Sequence, residues 1–284
     1  MMTLAENKRY GDAIKMCSEY GKRFGDDILV KRIKGNCEYQ SGMYTKASAT
    51  FASAIAMDPR DPLLWHSKGM ADEMDGDLDS AEEAFDKAVL LEPDEPEYWI
   101  SRSSVREKRG DIPGAIDSMN RAISLDTHSS YPLVRKGMMF ASLGKYEEAL
   151  CFLDLAHASD SENKGILRLQ RDICAAAGMA DKAIGISENL LARDPSDPEA
   201  AGRLSSLYLS MDDTEKAQEV LDRALSKAGD SLDLLHRKKD LLMRLKDDAG
   251  SVEVCERILE SDLKDRAVRS DLADIYARTG NMSK

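Results

Sequence analysis

The sequence is short of aromatic side chains and of proline, and it lacks any long apolar run. Each shortage excludes something. Aromatic residues make up 6% of the 284 positions, so any core has to be built mainly from small and aliphatic side chains. No run approaches the roughly 18 apolar residues that a membrane-spanning helix needs. Charges interrupt the first stretch of the chain throughout, so no secretory leader is expected there. Five cysteines (Cys17, Cys37, Cys151, Cys174 and Cys255) show no Cys-x-x-Cys spacing. They read as buried free thiols of a reducing compartment, which makes the expected location cytoplasmic. His66, His128, His157 and His236 share no ligand spacing, and no phosphate loop, nucleophile elbow or His-Glu-x-x-His is present. The expectation is a protein without metal, cofactor or catalytic residues, and so not an enzyme.

Positive charge is also scarce. The net charge is −12, and it is uneven: residues 1–61 carry +2, whereas residues 62–129 carry −9. Nucleic-acid binding needs a basic face to neutralise phosphates, so neither nucleic acid nor a membrane is an expected partner. The clusters Lys31, Arg32, Lys34 and Arg237, Lys238, Lys239 read as solvated helical faces. Asp75-Gly76-Asp77-Leu78-Asp79 has the look of a calcium loop. However, Ser80 stands where its glycine belongs and Asp86 where its closing glutamate belongs. Helix capping explains it better.

What the chain does have is a period. Ala13, Ala47, Ala81, Ala115, Ala149, Ala183 and Ala217 recur every 34 residues, the interval of a helix–turn–helix repeat array. Five residues before the alanine stands Gly42, Gly76, Gly110, Gly144 or Gly178, with Gly280 in phase, placed to end a first helix in the left-handed conformation. A small residue stands twelve before it: Gly35, Gly69, Ser103, Gly137 and Ser205. Six of the eight prolines fall in matching turns, 59 and 62, 93 and 96, 195 and 198, where one stops a helix and the next begins one. Apolar residues such as Ala81, Ala84, Phe85 and Ala88 follow helical spacing. The chain is predicted to be all-α.

Trp65-His66-Ser67-Lys68-Gly69 followed by Ala81, Phe85, Ala88 and Pro93 resembles the tetratricopeptide (TPR) pattern, and Trp99, Ala115, Ala122 and Gly144–Ala149 repeat it. The resemblance implies a right-handed superhelix, an α-solenoid of antiparallel helix pairs. Residues 1–27 read as a partial repeat holding a second helix, 28–265 as seven consecutive units, and 266–284 as an unpaired capping helix. Such a chain could be a piece of a longer repeat protein. Arg171 and Lys239 interrupt the small-residue column, and Ser187 replaces a bulky core residue. Those two units are expected to pack loosely or to open to something else.

In this family first helices line an inner groove, so the resemblance implies a peptide-binding set. In the first full unit it comprises Arg32, Asn36, Tyr39 and Gln40, with Leu29. The set continues as His66, Met70 and Met74 with Leu63, as Ile100 and Ser104, as Tyr131, Val134 and Met138, and as Arg168. Tyr39, Met70, Met74, Ile100, Tyr131 and Met138 are the expected anchors, methionine being an adaptable contact residue. The family's carboxylate clamp is not expected. Arg32 and Asn36 fit it, but Ser67, Glu97 and Ser101 do not, and Glu97 repels a carboxylate. The function expected is a non-catalytic scaffold for a protein or peptide, a basic one given the acidic units. The alternatives are the recruiting arm of a larger enzyme and self-association through the repeat ends.

Overall fold

A computed structural model describes residues 1–279, and Gly280 of the glycine column lies outside them. The described residues form seventeen helices and no strand. A short α1 (Met2–Glu6) precedes α2 (Tyr10–Phe24), standing where a first helix belongs. The full first helices are α3 (Ile28–Gln40), α5 (Pro62–Asp75), α7 (Pro96–Lys108), α9 (Ser130–Ser142), α11 (Lys164–Ala176), α13 (Pro198–Ser210), α15 (Leu232–Leu245) and α17 (Arg266–Thr279). Between them lie the second helices α4 (Tyr44–Ile55), α6 (Leu78–Leu91), α8 (Ile112–Leu125), α10 (Tyr146–Ser159), α12 (Ala180–Arg193), α14 (Thr214–Ala228) and α16 (Asp248–Ser261). The chain divides into two compact units, the first ending at Leu143 and the second starting at Gly144. Within them α3 packs on α4, α5 on α6, α7 on α8, α11 on α12, α13 on α14 and α15 on α16.

The helix limits follow from local chemistry. Asp27, Asp61, Asp77, Asp111, Asp197, Asp213 and Asp247 each accept a bond from a backbone amide of the first turn they precede, at 2.9–3.1 Å, contributing about 1 kcal/mol apiece. Asp77 thus caps α6, as the non-calcium reading of that stretch requires. Pro62, Pro96 and Pro198 open α5, α7 and α13 where a missing N–H costs nothing. Trp65 and Trp99 tie each new helix to the turn behind it, their Nε1 atoms donating to the carbonyls of Pro59 and Pro93 at 2.9 and 2.8 Å.

Close approach explains the packing columns. All seven in-phase alanines are fully buried. A Cβ added at Gly35 would meet the Phe51 ring at 2.6 Å, and one at Gly69 the Phe85 ring at 2.7 Å. Each glycine therefore makes room for a phenylalanine sixteen residues on, whose burial contributes about 1.5–3 kcal/mol. The same register sets Arg171 opposite Ser187 and Lys239 opposite Cys255. All four are buried: a long cationic stem stands where the partner is small. Four of the thiols are buried as expected, whereas Cys151 is exposed.

Candidate binding surface

First helices touch one another: α5 contacts α3 and α7, and α15 contacts α13, while consecutive second helices approach less. These first helices therefore lie on the inner side of the stack. First helices of the amino-terminal unit expose Leu29, Leu63, Met74, Tyr131 and Met138, with Met74, Tyr131 and Met138 at 48%, 54% and 40% of full exposure. Asn36 and Gln40 are exposed as well. They share a cavity of about 270 Å³ with Ile33, Cys37 and Tyr10, walled by Met2, Ala5 and Glu6 of α1. The remaining predicted residues of this unit, His66 apart, are half-buried. Tyr39 lies edge-on to Tyr44 at 5.5 Å, and burial, with Tyr44 and Glu73 nearby, raises its hydroxyl pKa. Met70 packs against Phe85 and Val105, and Ile100 against Met119 and Met139. Arg32 and Val134 lie at intermediate depth, as does Ser104, whose hydroxyl donates to Glu73 at 2.8 Å.

Two predicted contact residues are engaged within the fold, His66 by burial and Arg168 by ion pairs. His66 is 3% exposed. Its ring lies 4.8 Å from Tyr98 and 5.6 Å from Phe85, and its Nε2 is hydrogen-bonded to Ser101 Oγ at 2.8 Å. It is cross-repeat core. Burial pushes its pKa down to about 4, against the opposing pull of Glu73 and Glu95. Arg168 belongs to the second unit, where Asp197 holds it at 2.7 Å and Glu199 lies at 3.5 Å. The hydrogen bond that it donates to Asp197 comes first in raising its pKa.

Carboxylates on this surface are largely engaged by the next repeat. Glu73 pairs with Lys108 at 3.0 Å, and Glu107 pairs with Arg135. The sequence pattern gave no sign of these pairs, because their partners lie 28 to 35 residues away. Acid without an ion pair remains in the turns: Asp77, the cap of α6, and Glu92 and Glu97 are exposed, and no ion pair holds them among the described residues.

Tetratricopeptide-repeat family models match residues 34–89, 68–132 and 175–242. The chain belongs to the tetratricopeptide-repeat family. Solved TPR structures share its fold. The C-terminal part of a TPR repeat-containing protein from Cytophaga hutchinsonii aligns with a TM-score of 0.60 at 13% identity, covering 95% of this chain and 97% of that one. A TPR protein from Parabacteroides merdae gives 0.53 at 13%, covering 94% and 98%. YrrB, described as a TPR protein with an unusual peptide-binding site, gives 0.51 at 22%, covering 66% and 97%. No curated protein matches the sequence. TPR arrays are protein–protein interaction scaffolds, and this TPR chain is one in that general sense. No helix among the described residues is long and apolar enough to cross a membrane.

Proposed function

We propose that this TPR array is a non-catalytic scaffold whose amino-terminal unit takes a basic segment of a protein partner across its first helices. The reading rests on one observation: Leu29, Leu63, Met74, Tyr131 and Met138 leave large apolar side chains exposed on first helices, beside acidic turns. Isolated exposed apolar residues need no explanation, but several on the first helices of one unit do. Met74, Tyr131 and Met138 serve as anchors, with Tyr39, Met70 and Ile100 forming the half-buried floor. Asn36 and Gln40 bond the segment's backbone. YrrB, similar in fold, has a peptide-binding site of its own. The acidic turns select lysine- and arginine-bearing segments and make association weaken with salt.

An array of basic and acidic peptides identifies a binder, and fluorescence anisotropy then measures it. The Met74→Ala/Tyr131→Ala double variant is expected to bind that peptide about tenfold or more weakly. Raising salt from about 50 to 300 mM should weaken the wild-type complex as well. Undiminished binding by the double variant moves the site elsewhere, and preference for acidic peptides overturns the charge assignment.

A further inference from the structure

In the carboxy-terminal unit, α11 and α13 flank a cavity of about 470 Å³ lined by Arg171, Asp172, Ala175, Arg203, Ser206 and Ser210. Its chemistry differs from that of the amino-terminal unit. Arg171 is 1% exposed. Its Nε donates to Asp172 at 2.9 Å and its Nη2 to Glu199 at 3.1 Å, yet its Nη1 is buried without an acceptor. An unsatisfied buried donor on a charged group is costly, and native structures rarely keep one without a use. Arg203 lines the same cavity, is exposed, and has no ion pair or hydrogen bond among the described residues. Arg171 is thus paired with two carboxylates, Asp172 and Glu199, whereas Arg203 brings a charge that no carboxylate among the described residues pairs. Besides Leu207, the rest of the lining is small, Ala175, Ser206 and Ser210, which lets another chain come close. It continues toward α15, where Arg237 Nη1 donates to Ser206 Oγ at 3.3 Å.

We propose that this cavity holds the side-chain carboxylate of a glutamate or aspartate in an extended protein segment that crosses α11 and α13. The carboxylate accepts from Arg203 and supplies the acceptor that Arg171 Nη1 lacks, forming charge-assisted bonds stronger than neutral ones. The single unpaired charge of Arg203 matches one carboxylate. A doubly charged phosphate leaves a surplus negative charge beside Asp172 and Glu199. The site is independent of the apolar surface of the first unit and can be tested without it.

The test titrates the full chain with a blocked peptide, acetyl-Ala-Ser-Glu-Ser-Ala-amide, followed by NMR. Two counterparts carry glutamine or phosphoserine in place of the glutamate. Saturable shifts are expected at the amides of Arg203 and Ser206 and at the Arg171 Nε–H, with the glutamine peptide about tenfold weaker. Arg203→Glu should abolish the response while leaving the circular dichroism melt unchanged, and Arg203→Gln serves if the charge reversal unfolds the unit. Shifts spread over other surface arginines, equal affinity for the glutamine peptide, or undiminished binding by the Arg203 variants overturn the proposal. Tighter binding of the phosphoserine peptide assigns the cavity to phosphate instead and overturns the carboxylate.

Discussion

Size matching between Gly69 and Phe85 carries a measurable consequence, because two opposing effects act on one substitution. Glycine to alanine inside a helix ordinarily gains about 1 kcal/mol. At Gly69 the new methyl lies 2.7 Å from a fully buried ring, and overpacking of that kind costs about 1–3 kcal/mol. Gly69→Ala is therefore expected to destabilise by about 1 kcal/mol. Gly185→Ala, in α12 with nothing within 4 Å of the added carbon, is expected to stabilise by a similar amount. Urea midpoints of the two variants should move in opposite directions, and a common direction refutes the matched columns. The sequence displays one half of each match and hides the other. Glycine against phenylalanine is visible as two columns. Arg171 against Ser187 looks like two defects until the helices are paired, when both prove buried. His66 misled for a similar reason. Its column places it on the inner side, but Tyr98 and Ser101 of the next repeat cover it, and no pattern within one unit reveals their depth.

At the scale of the helix pair, the turn between first and second helices demands a left-handed residue at a fixed place. Gly42, Gly76, Gly110, Gly144 and Gly178 supply it, with φ between 71° and 92°. The same 34-residue step reaches Lys8, Asp212 and Lys246, and these adopt φ of 57°, 59° and 58°. The demand thus persists where the glycine has gone. Sequence could not announce this, since lysine carries no mark of its backbone angle, whereas the glycines, prolines and capping aspartates made most helix limits legible. A non-glycine residue held there costs about 1–2 kcal/mol, less for aspartate, whose side chain bonds locally. Lys246 ends α15 in this conformation, and its amide already satisfies the carbonyls of Leu242 and Met243. Lys246→Gly should stabilise by about 1 kcal/mol, and Asp212→Gly by less, as read from thermal melts. A loss of stability at Lys246 would mean that the lysine side chain contributes more than the strained backbone costs.

For the molecule as a whole, stability in a repeat array is close to a sum of units and their nearest-neighbour interfaces, so pH should not act evenly along it. His66 lies in the first unit, with its pKa near 4 in the fold against about 6.5 unfolded. The depressed value means the fold favours the neutral ring. Its contribution is complete above the unfolded pKa and is lost as pH falls toward 4, about 2 kcal/mol of it by pH 5. In the second unit the sign is the same but the window lies lower. Burial raises the pKa of Asp197, but hydrogen bonds from Arg168 and the amides of Ala200 and Glu199 more than offset this and hold it below the usual carboxylate range. Its contribution survives until pH drops below about 4. Between pH 7 and 5, hydrogen exchange corrected for its intrinsic pH dependence should show α5, α6 and α7 losing protection while α13 and its neighbours keep theirs. His66→Phe, which fills the space between Tyr98 and Phe85 without a titrating group, should flatten the response of the first unit. Equal losses in both units, or a response that survives His66→Phe, would show that the acid sensitivity of this array does not reside in the buried imidazole.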